Sequence, residues 1–204
     1  MSAAESEQFE RCLGVGGVVL FPADTVYGLA CDPEDSFAVQ RLYLLKRRSL
    51  SKPSAVMFFD LELALDTLGD EVGDATKAAM RRLLPGGVTL LLANPTRRFP
   101  LACGEDPTTL GVRVPDGERL RDMRRAILQS SANRAGGRDP QRLDEVPELF
   151  RAAVDLVIDA GELPGTPSTV VDLRRYEATG EWSVVRQGAV GPEELRAALT
   201  AGLR

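Results

Sequence analysis

Four positively charged side chains crowd into one short stretch of the chain: Lys46, Arg47, Arg48 and Lys52. They follow a predicted helix over 37–45 and precede a predicted strand over 54–59, which places them on a tight connection between helix and sheet. Lysine and arginine side chains bind the oxygens of phosphates and carboxylates. The alternative is a solvated helix end, where cations are favoured beside the negative end of the helix dipole. Because a strand follows directly, the four cations lie on a tight connection between helix and sheet, which favours an anion-binding site over a solvated helix end.

Hydroxyl and amide side chains recur at or beside predicted strand ends. Thr25 follows the apolar run 18–21, Ser131 and Asn133 precede a glycine pair, and Ser168 leads into the strand 170–173. Each could simply cap a turn or a helix. Beside backbone N–H donors, the same groups suit phosphate or carboxylate oxygens. Because all of them lie near strand ends, we expect them to converge in one cleft.

One charged side chain, Arg113, interrupts the apolar strand predicted over 110–114. A buried arginine without a partner is costly, so Arg113 should face either water on an edge strand or a carboxylate. A carboxylate on a ligand is the sharper of these possibilities.

Composition restricts the chemistry. The chain has 204 residues, of which 44% are hydrophobic, and its length suits one domain. It contains no histidine, which excludes Ser-His-Asp triads, Cys-His dyads and histidine metal sites. Three scattered cysteines make disulfides and thiolate zinc sites unexpected. A net charge of −5 favours a small anionic ligand in a pocket over a surface that is basic throughout.

Helical and strand patterns alternate irregularly, which predicts an α/β domain around a mixed twisted sheet. No apolar run is long enough to cross a bilayer and no hydrophobic signal region opens the chain, so a cytoplasmic protein is expected. Asp35 and Asp60 are expected to cap helices. Strands are predicted over 18–21, 54–59, 88–93, 110–114, 156–159, 170–173 and 182–185. Helices are predicted over 6–13, 37–45, 61–68, 74–84, 116–128, 147–154 and 192–199, the arginines of 116–128 forming a solvated face.

Seven motifs, in order, resemble those of the YrdC-like family, the threonylcarbamoyl-AMP synthases: PADTVYGL, KRR followed by SLSKP, LPGGVTLLL, GVRVP, SSAN, PSTVVDL and VVRQG. The resemblance covers residues 14–190 and implies a single YrdC-like domain over 1–204. The implied fold is a twisted mixed β-sheet flanked by helices, with a large basic concave cavity. The implied reaction converts L-threonine, bicarbonate and ATP into threonylcarbamoyl-AMP and pyrophosphate.

The resemblance also implies roles for residues and partners. Lys46 and Arg48 match the family's KxR pair, and with Ser131 and Asn133 they form its catalytic tetrad around ATP. The other implied ATP contacts are Lys52, Thr109 and Arg186, and the implied L-threonine site is Thr25, Arg113 and Ser168. Magnesium is expected with ATP, although no protein ligand is identified for it. The product is expected to pass to a complex that modifies tRNA beside the anticodon.

Several positions depart from the family pattern: Ala23, Met57, Gly87, Ala135 and Asp139. Met57 stands where many members carry histidine at the threonine pocket, and Asp139 stands where a small hydroxyl often contacts ATP. These changes affect the detailed threonine contacts and the fit of the phosphates. Two rival functions stay open. One is an RNA-binding module that holds tRNA or double-stranded RNA, and the other is a carbamoyl-transfer domain with a different acceptor.

Overall fold

The computed structural model describes residues 2–117 and 123–200. Within these ranges, nine strands form one sheet. The strands are β1 (Val19–Pro22), β2 (Tyr27–Cys31), β3 (Ala55–Met57), β4 (Val88–Ala93), β5 (Thr109–Arg113), β6 (Ile127–Ser131), β7 (Leu156–Val157), β8 (Thr169–Asp172) and β9 (Ser183–Arg186). The helices are α1 (Ala3–Gly14), α2 (Ser36–Leu45), α3 (Leu61–Leu68), α4 (Asp74–Leu83), α5 (Glu148–Ala153), α6 (Tyr176–Thr179) and α7 (Pro192–Thr200).

The sheet is mixed, as predicted. Its strand order is β7-β1-β2-β6-β3-β5-β4-β8-β9. The pairs β1–β7, β3–β5 and β4–β8 are parallel, and the other neighbouring pairs are antiparallel. Among the described residues, no helix combines the length and the apolar character that a bilayer span requires.

Side chains alternate between the two faces of the sheet, because successive residues of a strand point in opposite directions. In and before β1, Val18 and Leu20 join the larger core, whereas Val19 and Phe21 join a smaller cluster. The larger core packs against α2, α3, α4, α5 and α7. The smaller cluster receives α1, whose Phe9 ring meets the Phe21 ring edge-on at 5.3 Å. The central strands therefore have helices on one face, while α1 and its cluster cover part of the other face, from β1 to Ile127 of β6 and Met57 of β3.

Helix α2 leads directly into the cationic segment that begins at Lys46, and a local N-cap determines where the helix starts. The Asp35 carboxylate accepts hydrogen bonds from the backbone N–H groups of Phe37 and Ala38, as an N-cap does. Asp60 caps α3 in the same way through the backbone N–H of Leu63. Both predicted caps are confirmed, and α2 ends immediately before Lys46.

The predicted helix over 116–128 is wrong in its described part. Residues 118–122 lie outside the described residues, 123–126 are not helical, and Ile127 and Leu128 belong to strand β6. Strand β6 pairs with both β2 and β3, and its two apolar side chains pack on opposite faces of the sheet. The apolar spacing that suggested a helix therefore serves a two-sided strand. Arg124 and Arg125 are exposed, but not as a helix face.

Two interior strands and one short helix were not predicted. Strand β2 reads YGLAC and carries no β-branched residue, and β6 ends in the polar residues Gln129, Ser130 and Ser131. The predicted strand 156–159 is shorter, as β7, and the predicted strand 182–185 is shifted by one residue, as β9. Helix α6 covers four residues that follow an arginine-rich turn.

Candidate active site

A cavity of about 580 Å³ lies over the sheet face that receives α1, on the part of that face that α1 does not cover. Along β5, Thr109, Gly111 and Arg113 line the cavity, whereas Leu110 and Val112 point into the larger core. Strands β3 and β5 form the floor of the cavity, and the middle of this floor carries only the small residues Ala55 and Gly111. Gly111 lies opposite Ala55 of β3 in register, and a Cβ at Gly111 would be 3.5 Å from the Ala55 Cα. A substrate can therefore approach the strand backbones.

Arg113 is almost completely buried, with 3% of its surface exposed. Its Nη2 donates to the Asp24 carboxylate and, at 2.9 Å, to the Thr25 hydroxyl. Burial raises the pKa of Asp24, and the charge of Arg113 acts in the opposite direction. The Arg113 Nε is buried and has no hydrogen-bond partner among the described residues. Arg113 thus faces a carboxylate of the protein itself, lines the cavity and has one buried donor without a partner among the described residues.

A second cluster of polar groups surrounds Ser168, which is buried, lines the cavity together with Arg113 and directly precedes β8. Its hydroxyl lies 2.7 Å from the hydroxyl of Thr89 on the parallel strand β4. Arg186 Nη2 donates to the Ser168 carbonyl at 2.8 Å. The positive charge of Arg186 lowers the pKa of Arg113, after the larger effect of burial. Two cations are therefore held close together, an arrangement that an anion would stabilise.

Lys46 is buried at the base of the site, with 1% of its surface exposed. Its Nζ donates to the Ser131 carbonyl, to the Asn133 carbonyl at 2.9 Å and to the Asn133 Oδ1 at 3.2 Å. The Ser131 hydroxyl donates to the same Oδ1 at 2.8 Å. Burial first, and the charge of Arg48 second, lower the pKa of Lys46 to about 8. Three of the four tetrad residues therefore form one hydrogen-bonded unit at the end of β6.

Arg48, the fourth tetrad residue, lines the cavity beside this unit. Its Nη2 donates to the Pro53 carbonyl at 2.7 Å, and its buried Nε has no partner in the described part of the chain. The side chain of Lys52, by contrast, is exposed and does not line the cavity. Two of the four clustered cations, Lys46 and Arg48, thus belong to the site. Lys52 lies on the surface.

At the far end of β5, the Thr109 hydroxyl donates to Asp106 Oδ2 at 2.6 Å. Arg174 also lines the cavity there, and its Nη1 lies 3.3 Å from the Thr109 hydroxyl. No sequence motif indicated Arg174, although it follows the PSTVVDL strand directly. Among the described lining residues, four arginines face three carboxylates. These charged residues are Arg48, Arg113, Arg174, Arg186, Glu105, Asp106 and Asp139.

The predicted site residues come together with one exception. Six line the cavity, namely Arg48, Thr109, Arg113, Ser131, Ser168 and Arg186. Thr25, Lys46 and Asn133 touch lining residues directly. Lys52 is the exception. Of the departing positions, Asp139 lines the cavity and accepts from Asn133 Nδ2 at 3.0 Å, while Ala23 and Met57 are buried in the smaller cluster.

No group of three or more carboxylate, cysteine or histidine side chains in the described ranges could hold a metal ion. Single carboxylates do face the cavity, including Asp139. One carboxylate is enough for a magnesium ion that takes its other ligands from water and substrate phosphates.

Comparison with known proteins shows which family shares this sequence and architecture. The family model Sua5_yciO_yrdC, described as "Telomere recombination", matches residues 11–188. A protein of Thiobacillus denitrificans named threonylcarbamoyl-AMP synthase is 32% identical over 190 residues, covering 89% of this chain and 98% of that protein.

Solved structures share the fold. The crystal structure of P. abyssi Sua5 complexed with L-threonine superposes with a TM-score of 0.84 at 27% identity, covering 98% of this chain. This chain spans 58% of that Sua5 chain. E. coli YciO superposes with a TM-score of 0.80 at 24% identity, covering 95% of this chain and 94% of that one, and supports the fold alone. The sequence motifs, the nine-stranded mixed sheet of the described residues and these matches agree, and the chain belongs to the Sua5/YciO/YrdC family.

Proposed function

We propose that this chain is a threonylcarbamoyl-AMP synthase, which joins L-threonine, bicarbonate and ATP to give threonylcarbamoyl-AMP and pyrophosphate. The observation that carries the proposal is the convergence of cations and hydroxyl groups on one cavity with a bare floor. The name of the Thiobacillus denitrificans relative and the L-threonine in the P. abyssi Sua5 structure support it.

L-Threonine would bind at the Arg113 end of the cavity. The Arg113 guanidinium, which lines the cavity, would donate to its carboxylate, while the ion pair with Asp24 holds that group in place. The hydroxyl groups of Thr25 and Ser168 lie beside Arg113 and the start of β8 and would bind the remaining polar atoms of the amino acid. The buried setting would strengthen these hydrogen bonds, since water is excluded.

ATP would lie across the remaining floor. The Arg48 and Arg186 guanidinium groups, which line the cavity, would bind phosphate oxygens. Ser131 would contact the nucleotide at the phosphate end of the cavity, and Thr109 would contact it at the opposite end. Lys46 would act from beneath, because its ammonium already holds the Ser131 and Asn133 carbonyls. Its role is therefore to fix the end of β6 and to supply positive charge.

The reaction requires the three substrates to be held in position more than it requires a titrating base. The amine of threonine attacks bicarbonate, a carbon–nitrogen bond forms as a carbon–oxygen bond breaks, and a carbamate and water result. A carbamate oxygen then attacks the α-phosphate of ATP. A new oxygen–phosphorus bond forms as the bond to the leaving pyrophosphate breaks. All three reactants carry negative charge, so fixed cations must hold them together against their repulsion. The arginines of the cavity do this without histidine.

Magnesium would arrive with the triphosphate, and Asp139 is the carboxylate placed to contact it or its water ligands. The ion supplies charge neutralisation at the phosphates. Without it, the Asp139 carboxylate would repel them.

The product would pass in the cytoplasm to a complex that modifies tRNA. Direct RNA binding is the weaker alternative. The described lining balances its arginines with three carboxylates and contains no aromatic side chain on which a base could stack.

The test is pyrophosphate release from ATP, measured with L-threonine and bicarbonate supplied together or omitted one at a time. Release should require both, and D-threonine should not replace the L-enantiomer. Release that continues unchanged without L-threonine would overturn the proposed function.

A further inference from the structure

The cavity end away from Arg113 holds a polar cluster that the reaction described above leaves without a full role. It consists of Glu105, Asp106, Thr109 and Arg174, and all four residues line the cavity. Of these, the family motifs point only to Thr109.

Arg174 is fixed rigidly within this cluster. Its Nε donates to both carboxylate oxygens of Asp172, at 3.0 and 3.1 Å, and its Nη2 donates to the same group at 2.6 Å. The Nη1 remains directed towards the Thr109 hydroxyl at 3.3 Å and Asp106 Oδ2 at 3.9 Å. A forked contact of this kind fixes the plane of a guanidinium group, which a lysine could not reproduce.

The local charge is unfavourable for a triphosphate. Asp172 and Asp106 offset the charge of Arg174, and Glu105 adds another carboxylate to the lining. An uncharged nucleoside has the opposite preference, because carboxylates accept hydrogen bonds from ribose hydroxyls and from the exocyclic amine of adenine. The flat face of a guanidinium can also stack on a purine ring.

The spacing along β5 agrees with this division of the cavity. Thr109 and Arg113 face the same cavity four residues apart, a separation of about 13 Å in an extended strand. The bare backbone of Gly111 lies between them. One nucleotide can therefore place its nucleoside beside Arg174 and direct its α-phosphate towards an amino acid at Arg113.

We propose that Arg174 binds the nucleoside part of ATP, with Asp172 as the positioning residue that orients its guanidinium group. Glu105 and Asp106 then accept hydrogen bonds from the ribose or the base. This inference rests on the proposed function for the identity of the nucleotide. It adds Arg174 to the substrate-binding residues and makes this end of the cavity the place where the base is selected.

The experiment compares Arg174→Ala with Arg175→Ala. Arg175 is the adjacent residue of the same type, but its side chain is 73% exposed and pairs with Glu181 outside the cavity. Dissociation constants for ATP are measured by calorimetry, and inorganic tripolyphosphate is tested as a competitor. Arg174→Ala should weaken ATP binding about tenfold, which corresponds to about 1.4 kcal/mol. Competition by tripolyphosphate, the KM for L-threonine and ATP binding by Arg175→Ala should stay within about twofold of the wild type.

Unchanged ATP binding in Arg174→Ala would overturn the inference, and so would an equal loss of affinity for tripolyphosphate, which would make Arg174 a phosphate ligand. Arg174→Lys is the second variant. It keeps the charge and should restore at most part of the affinity, whereas full rescue would contradict a role for the planar fork. A wild-type protein that binds ATP with this pattern of variants but releases no threonine-dependent pyrophosphate would refute the proposed function alone.

Discussion

Replacing Lys46 by methionine should change how the stability of the protein depends on pH. Methionine has nearly the same length as lysine but carries no charge, and Lys46 is 1% exposed beneath the cavity. The variant removes the donor to the Ser131 and Asn133 carbonyls, which costs stability, and it also removes a buried ammonium, which restores some. The stability of the variant at neutral pH combines both effects, whereas the pH dependence of stability reports the titration of Lys46 alone.

The magnitude follows from the pKa of Lys46, which burial and the charge of Arg48 lower from 10.5 to about 8. Between these values the unfolded chain still holds a proton that the folded protein has released. Stability therefore rises with pH across this window. The destabilisation that comes from burying the charged Lys46 ammonium is fully present below pH 8 and is gone above pH 10.5. Its full size is about 3 kcal/mol.

The assay is urea unfolding at several pH values between 8 and 10.5, followed by tryptophan fluorescence. Trp182 is the one tryptophan of the chain and packs, partly buried, against the larger core. Burial raises the pKa values of Tyr27 and Cys31 to about 12, so both groups lower stability as pH rises. They do so in both proteins, and the difference between wild type and Lys46→Met isolates Lys46.

The free energy of unfolding of the wild type, relative to that of Lys46→Met, should rise by about 2–3 kcal/mol across this range. Lys52→Met, which removes an exposed lysine, is the matched control and should show no comparable rise. A flat difference for Lys46→Met would refute the buried, charged lysine on which this part of the site depends.

Three further variants test the cavity. Asp24→Asn should lower the free energy of unfolding by about 3–5 kcal/mol, because Arg113 would stay charged and buried without its partner; a loss below about 1 kcal/mol in urea unfolding would contradict this. Gly111→Leu should leave the unfolding midpoint nearly unchanged while its side chain fills the floor and reduces ATP turnover at least tenfold; normal turnover would show that ATP binds elsewhere. Arg48→Lys should reduce turnover about tenfold, since an ammonium cannot hold the Pro53 carbonyl and a phosphate in the same fork; unchanged turnover would remove Arg48 from the site.

The parts of the fold that follow from local sequence were predictable. Helix α2 has its cap at Asp35 and an apolar stripe, and strand β4 is a continuous apolar run. Strand β6 depends on the tertiary structure instead. Its Gln129 and Ser131 are polar because they line the cavity, and its pairing with β2 and β3 involves residues distant in sequence. A local pattern could not reveal either neighbour.

The site residues also divide into those that local sequence motifs indicate and those that only the tertiary structure reveals. The motifs indicated Arg113 and Ser168, whereas the carboxylate that holds Arg113 is Asp24, 89 residues away in the sequence. Arg174 follows Asp172 by two residues and could have been read as a simple surface ion pair. Its place at the cavity becomes visible only when β8 pairs with β4 and the loop before β5 folds beside it.

The central claim is that one cavity brings L-threonine, bicarbonate and ATP together. Mass spectrometry of the products formed with isotopically labelled bicarbonate tests it most directly. The account predicts threonylcarbamoyl-AMP that carries the label in its carbamoyl carbon. Finding only AMP or ADP, with no labelled adduct, would contradict it.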